Sequence, residues 1–165
     1  MNILIIGSGG REHALGKKIS ANDRKIYFAP GNGGTSDIGE NIDIEVDDIE
    51  KLVDFAKNND IDFTIVGPEL PLCQGIVDEF EKNNLKIFGV NKKASKFESS
   101  KGFTKEFLNK YHIKTGDYLN TKDKKEAENY SRNLLDQKGK VVVKRDGLAA
   151  GKGASIIDRK STRLN

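Results

Sequence analysis

Apolar residues open the chain in short unbroken runs, each closed by glycine and followed by a stretch with helical spacing. The first run, "NILII" (2–6), has no polar interruption and predicts a strand buried on both faces. "GSGG" (7–10) closes it. "REHALGKKIS" (11–20) then places Ala14, Leu15 and Ile19 on one predicted helical stripe. "KIYFA" (25–29) predicts the second strand and "PGNGGTSDIG" (30–39) a glycine-rich loop. In "DIEKLVDFAKNN" (48–59), Ile49, Leu52, Val53 and Ala56 have helical spacing, with Asp47 or Asp48 as N-cap. "DFTIVG" (62–67) predicts a strand, "LPLCQGIVDEFEKNN" (70–84) one helix, and "KIFG" (86–89) a further strand.

Strands alternating with helices at this rhythm imply right-handed crossovers and a parallel sheet. The glycine loops at 7–10, 30–34 and 67–69 each follow a strand, so they converge on one edge. In open sheets of this kind ligands sit beyond the carboxyl ends of the strands. After Gly89 the texture changes. "NKKASKFESSKGFTKEFLNKYHIKT" (91–115) predicts two helices broken near Ser99 and Ser100. "GDYLN" (116–120) predicts a strand, "KDKKEAENYSRNLLDQKG" (122–139) a helix, and "KVVVKRDG" (140–147) a strand. A second domain is expected to begin between 95 and 103, and no internal repeat is present.

Composition narrows the classes. With 36% hydrophobic and 32% charged residues, the chain suits a soluble globular protein on the polar side. No apolar run approaches the roughly 20 residues of a membrane span, so no membrane partner is expected. The opening "MNILIIGSGG" lacks a basic leader and reads as a buried strand rather than a signal peptide. Cys73, the single cysteine, excludes an internal disulfide and suits a reducing, cytoplasmic compartment. Of the net charge of +3, +2 lies in 158–165, which leaves no general patch for nucleic acid. That segment, "DRKSTRLN", carries two of the six arginines and no apolar periodicity. It is expected to be a non-native tail and is set aside from the fold; a polar disordered terminus is the alternative.

Three loops carry candidate chemistry. A strand running through Gly7, Ser8, Gly9 and Gly10 into a helix offers backbone N–H groups and a positive dipole end to an anion. The dinucleotide fingerprint needs glycine at position 12, where Glu12 stands, and an acidic residue ending the second strand, where "YFAPGN" has none. Arg11, Glu12 and His13 open the helix; they are either solvated first-turn residues or contacts to the anion. "APGNGGT" (29–35) and "VGPELPL" (66–72) are turn chemistry if taken singly. Their place on the same edge makes Asn32 and Glu69 candidates for binding hydroxyls or an amine.

The third loop, "KRDGLAAGKGAS" (144–155), is not the common phosphate loop. That motif needs glycine five residues before Gly151, where Asp146 stands, and Ser or Thr at Gly153. A glycine-rich hairpin between 140–144 and a returning strand "ASII" (154–157) could instead fold over a triphosphate, with a strand lysine meeting a phosphate oxygen. The bland alternative is a flexible hairpin with solvated lysines.

"GSGGREHAL", "APGNGGT", "DFTIVGPELPL", "IFG" and "KRDGLAAGKG", in this order and spacing, closely resemble the phosphoribosylamine–glycine ligase (glycinamide ribonucleotide synthetase) family of ATP-grasp enzymes in purine biosynthesis. The resemblance covers residues 1 to about 157. It implies an α/β fold: a parallel-sheet, Rossmann-like pre-ATP-grasp domain over 1–100, then the truncated start of an ATP-grasp domain over 101–157. It implies ATP-dependent ligation of glycine to 5-phosphoribosylamine through a glycyl phosphate, with Mg2+ or Mn2+. It implies ATP contacts at Lys101, Lys144, Gly147, Leu148, Ala149, Ala150, Gly151, Lys152 and Gly153. Gly9, Gly10, Arg11, Glu12, His13, Asn32 and Glu69 match motifs that face the substrate cleft. No catalytic residue is singled out, and the metal ligands are expected in a carboxyl-terminal part that family members carry and this chain lacks. The chain alone is therefore expected to be inactive. The family favours alanine at Arg145, proline and threonine at Val90 and Asn91, glycine at Ser99 and proline at Lys114. Arg145 alternates away from Lys144 on a strand and is expected to meet solvent. Two other readings stay open: a stand-alone anion- or nucleotide-binding module, and a different ATP-grasp carboxylate–amine ligase.

Overall fold

The computed structural model describes residues 1–149 and 151–158. Residues 159–165 of the expected tail, and Ala150, lie outside the described residues. The chain divides into two compact units, Met1–Lys96 and Phe97–Asn165.

The first unit is a five-stranded parallel sheet. Its strands are β1 (Asn2–Gly7), β2 (Lys25–Pro30), β3 (Glu40–Asn41), β4 (Phe63–Val66) and β5 (Ile87–Phe88), in the order β3-β2-β1-β4-β5. The apolar run that predicts β1 lies at the centre, where a strand covered on both faces has no polar position. Its pleat sends Leu4 and Ile6 to one face and Ile3 and Ile5 to the other. On the first face, Leu52, Val53 and Ala56 of α2 (Ile49–Asn58) and Ile76, Val77 and Phe80 of α4 (Ile76–Lys82) complete the larger cluster. On the second face α1 (Gly10–Ile19) packs against Phe28.

Details differ from the periodicity. Ala14 and Leu15 face solvent; Glu12, Gly16 and Ile19 form the inward stripe of α1. Gly16 allows this, since a Cβ there would strike the Phe28 ring. Asp48 caps α2, accepting the Lys51 N–H at 3.3 Å. The single helix predicted over 70–84 is two, α3 (Glu69–Gln74) and α4, because Gly75 turns left-handed at φ +99°. A 3-10 turn at Thr35–Asp37 and the two-residue β3 carry too little periodicity to be foreseen.

The second unit begins in α5 (Lys96–Ser99). It continues through α6 (Lys101–Lys110), α7 (Lys124–Lys138) and an antiparallel hairpin of β6 (Lys140–Lys144) and β7 (Ala154–Asp158). Ser100 caps α6 and Asp123 caps α7, while Gly139 ends α7 at φ +73°. Asp158, set with the tail by the sequence reading, pairs with Lys140 as the last residue of β7. "GDYLN" forms no strand. No described strand lies alongside to supply a ladder, and the Lys105 ammonium takes the Gly116 carbonyl at 2.9 Å.

Candidate functional site

All five strands run parallel, so the loops after β1, β2 and β4 meet at one edge of the first unit. The chain leaves β1 for β2 on one side and later fills β4 on the other. The loops of β1 and β4 therefore flank the point where strand order reverses. Direct contacts join them. The Gly31 N–H donates to Gly7 O at 3.2 Å, and Asn32 Nδ2 donates to Ser8 O at 2.8 Å. The Gly67 N–H donates to Ile6 O at 3.0 Å. The convergence expected from the three glycine loops is thus present.

The candidate residues at this edge divide by direction. Glu12 is 4% exposed, with its carboxylate beneath the loops rather than in solvent. Its Oε2 accepts the Gly9 N–H at 2.6 Å, and its buried Oε1 has no hydrogen-bond partner among the described residues. A Cβ on Gly7, Gly9 or Gly67 would collide with this carboxylate. The glycines therefore make room for Glu12. The Gly9 N–H is not free for an anion as expected; the first-turn amides of Gly10 and Arg11 are those that helix geometry leaves open. Asn32 also works inward. Its Oδ1 accepts the amides of Gly34 at 2.7 Å and Thr35 at 3.1 Å, and Asn41 Nδ2 reaches its carbonyl at 2.7 Å. Arg11 and Glu69 stand outward as a 3.6 Å ion pair, with the Arg11 side chain largely in solvent and that of Glu69 about half exposed. His13 lies beside Gly34, half-buried. An exposed pair of opposite charge contributes little to stability and readily exchanges its partner for a charged ligand.

In the second unit a cleft of about 510 Å³ opens between α6, α7 and the hairpin. Lys101 and Lys144 both line it, joined by Lys105, which the sequence reading did not select. Of the expected nucleotide loop, Gly147, Leu148, Ala149, Gly151, Lys152 and Gly153 stand beside the cleft and do not line it; Ala150 is not described. The loop leaves β6 through the Arg145 N–H, which donates to Gly153 O at 2.7 Å, and turns on Gly147 (φ +93°) and Gly151 (φ +76°). Arg145 itself is exposed, as its alternation implied.

Sequence reasoning also missed Asp146. Its carboxylate accepts the Lys101 N–H at 2.6 Å, the Gly102 N–H at 3.3 Å and the Ser100 hydroxyl at 3.1 Å. Burial acts to raise its pKa. The amides of Gly102 and Lys101, the Ser100 hydroxyl and the Gly147 amide outweigh that and hold the carboxyl below the usual range. The only local signal was an acidic residue beside a lysine-rich, glycine-rich loop. On the rim Lys138 pairs with Asp117, a contact that lowers the Asp117 pKa. No helix among the described residues is long and apolar enough to cross a membrane.

A doubly covered parallel sheet with glycine loops at its switch point, followed by a lysine-lined cleft beside a glycine hairpin, is the frame of ATP-grasp ligases. A solved phosphoribosylamine–glycine ligase from Thermotoga maritima superposes with TM-score 0.70 at 30% identity, over 98% of this chain and 37% of that one. The family model for the phosphoribosylglycinamide synthetase N domain matches residues 1–98, and that for its ATP-grasp (A) domain matches 99–164. The chain belongs to the phosphoribosylglycinamide synthetase family. It is 51% identical to a phosphoribosylamine–glycine ligase of Caldanaerobacter subterraneus over 159 residues, which is 95% of this chain and 37% of that protein. The ligase of Pasteurella multocida is 50% identical over 160 residues, 94% of this chain and again 37% of the relative. The chain thus spans little more than a third of the length of the relatives it matches.

Proposed function

We infer that this chain forms the amino-terminal part of a cytoplasmic ligase that joins glycine to 5-phosphoribosylamine with cleavage of ATP, giving glycinamide ribonucleotide. The observation that carries the reading is the meeting of Lys101 and Lys144, far apart in sequence, on one cleft beside a glycine hairpin. Two ammonium groups there suit a polyphosphate. We assign nucleotide binding to residues from 101 on, with the hairpin around Gly147–Gly153 as a cover, and the sugar phosphate to the switch-point edge of residues 1–100.

Glycine's carboxylate is a poor electrophile until one oxygen becomes a leaving group. Phosphoryl transfer from ATP supplies that, and the phosphoribosylamine amine then attacks the acyl phosphate and releases inorganic phosphate. The protein's share is positioning and cationic stabilisation of the phosphoryl group. Among the sugar-phosphate residues, the amides of Gly10 and Arg11 and the side chains of Arg11, His13 and Glu69 face the ligand; Gly9, Glu12 and Asn32 hold the loops in shape. Mg2+ or Mn2+ would supply neutralisation of the ATP phosphate charge. Among the described residues there is no group of three or more His, Cys, Asp or Glu side chains that could hold a metal ion.

The test uses a polypeptide that extends this chain to the length of its relatives. Lys144→Ala is expected to raise KM for ATP by roughly tenfold or more, from loss of a charged hydrogen bond, with KM for phosphoribosylamine nearly unchanged. Equal losses for both substrates would contradict the assignment.

A further inference from the structure

Asp146 is left unused by that reading, yet it joins the two segments that carry the cleft lysines. It lies two residues beyond Lys144, and its carboxylate receives the first two amides of α6, Lys101 at 2.6 Å and Gly102 at 3.3 Å, with the Ser100 hydroxyl at 3.1 Å. The return contact runs the other way: Lys101 Nζ donates to Gly147 O at 2.9 Å. Two neighbours on the hairpin thus clasp two neighbours on the helix reciprocally.

The clasp is not needed to start the helix. Ser100 already caps α6 by accepting the Phe103 N–H at 3.1 Å. Gly102 separately leaves room for Asn120, whose side chain a Cβ there would strike. We propose that Asp146 is a positioning residue, which ties the base of the nucleotide loop to the first turn of α6 and so sets Lys101 relative to Lys144 across the cleft. Beyond the clasp the backbone takes left-handed turns at Gly147 (φ +93°) and Gly151 (φ +76°). A hairpin beside a polyphosphate site needs a fixed base of this kind, because both ammonium groups must keep their separation to meet the phosphates. This inference rests on the assignment of the cleft to ATP.

The experiment compares Asp146→Ala and Asp146→Asn in the polypeptide extended to the length of its relatives. Asp146→Ala is expected to raise KM for ATP about tenfold, with kcat and KM for glycine within about threefold, as the loss of hydrogen bonds to a charged group predicts. Asp146→Asn keeps an acceptor oxygen and is expected to recover most of the loss. An unchanged KM for ATP, or an equal rise in both KM values, overturns the proposal. Should the unaltered polypeptide make no amide, the functional reading fails on its own. The clasp is then decided in the 165-residue chain, by the Lys101 backbone amide resonance in NMR. Loss of its carboxylate-bonded downfield position in Asp146→Ala supports the clasp, and an unmoved resonance overturns it.

Discussion

Glu12 shows how one side chain can account for several glycines. A carboxylate that is 4% exposed and packed against the loops after β1 and β4 is placed to hold those two loops together. Removing it strips the Gly9 amide of its acceptor and opens a void. Glu12→Ala is therefore expected to destabilise the chain by about 1–3 kcal/mol, read from urea unfolding. Gly67→Ala should destabilise too, since its methyl would meet the carboxylate. Much of that cost should vanish in a Glu12→Ala background. Strict additivity of the two substitutions would remove the steric explanation. Asp146 yields a pH expectation. Its folded pKa lies below the unfolded value, so the clasp adds stability above the unfolded pKa and loses it as pH falls through the folded one. The exposure of the group keeps that contribution small. The direct measurement is the carboxyl carbon titration, expected to show a midpoint below the roughly 3.9 of an unstructured aspartate; a midpoint at or above that value would deny the hydrogen bonds.

At the scale of elements, two glycines lie where periodicity suggested ordinary helix. In a helix interior Gly→Ala stabilises by up to roughly 1 kcal/mol. The structure reverses that sign at both positions. Gly75 separates α3 from α4 at φ +99°, a conformation in which a side chain is strained, and a Cβ there would approach the Lys92 side chain at 3.2 Å. Gly16 lies on regular helix, but its missing Cβ is occupied by the Phe28 ring. Gly75→Ala and Gly16→Ala are each expected to lower the unfolding free energy by about 1 kcal/mol or more, read from urea unfolding. A stabilising Gly75→Ala would mean that 70–84 is one continuous helix after all. The same contrast explains why the boundaries of α3 and α4 were illegible. Helical spacing runs through Gly75 in the sequence, and only the local backbone shows the break.

On the scale of the whole chain, legibility followed burial. In the first unit strands read as unbroken apolar runs because both faces of the sheet are covered, and Leu4, Ile5, Ile6 and Phe28 are wholly buried. The glycine loops, their common edge, and the pair Lys101 and Lys144 could be read from order and motif. The inward turn of Glu12 and the grip of Asp146 could not, because each depends on a partner brought near only by folding. The second unit was harder for a physical reason: among its described apolar residues Val141 alone is buried, and Val142, Val143 and Ile156 remain about half exposed or more. With so little pattern to detect, "GDYLN" read as a strand. A two-stranded hairpin is marginal by itself, and opening free energies track buried apolar contact. Hydrogen exchange should therefore divide the chain. Amides of β1, β2 and β4 are expected to exchange slowest, near the global unfolding limit. Those of β6 and β7 should exchange faster by orders of magnitude, despite their five paired positions. Equal protection in both sheets would mean that the exposed face of the hairpin is covered in solution, and the difference in burial would no longer describe the stability of the chain.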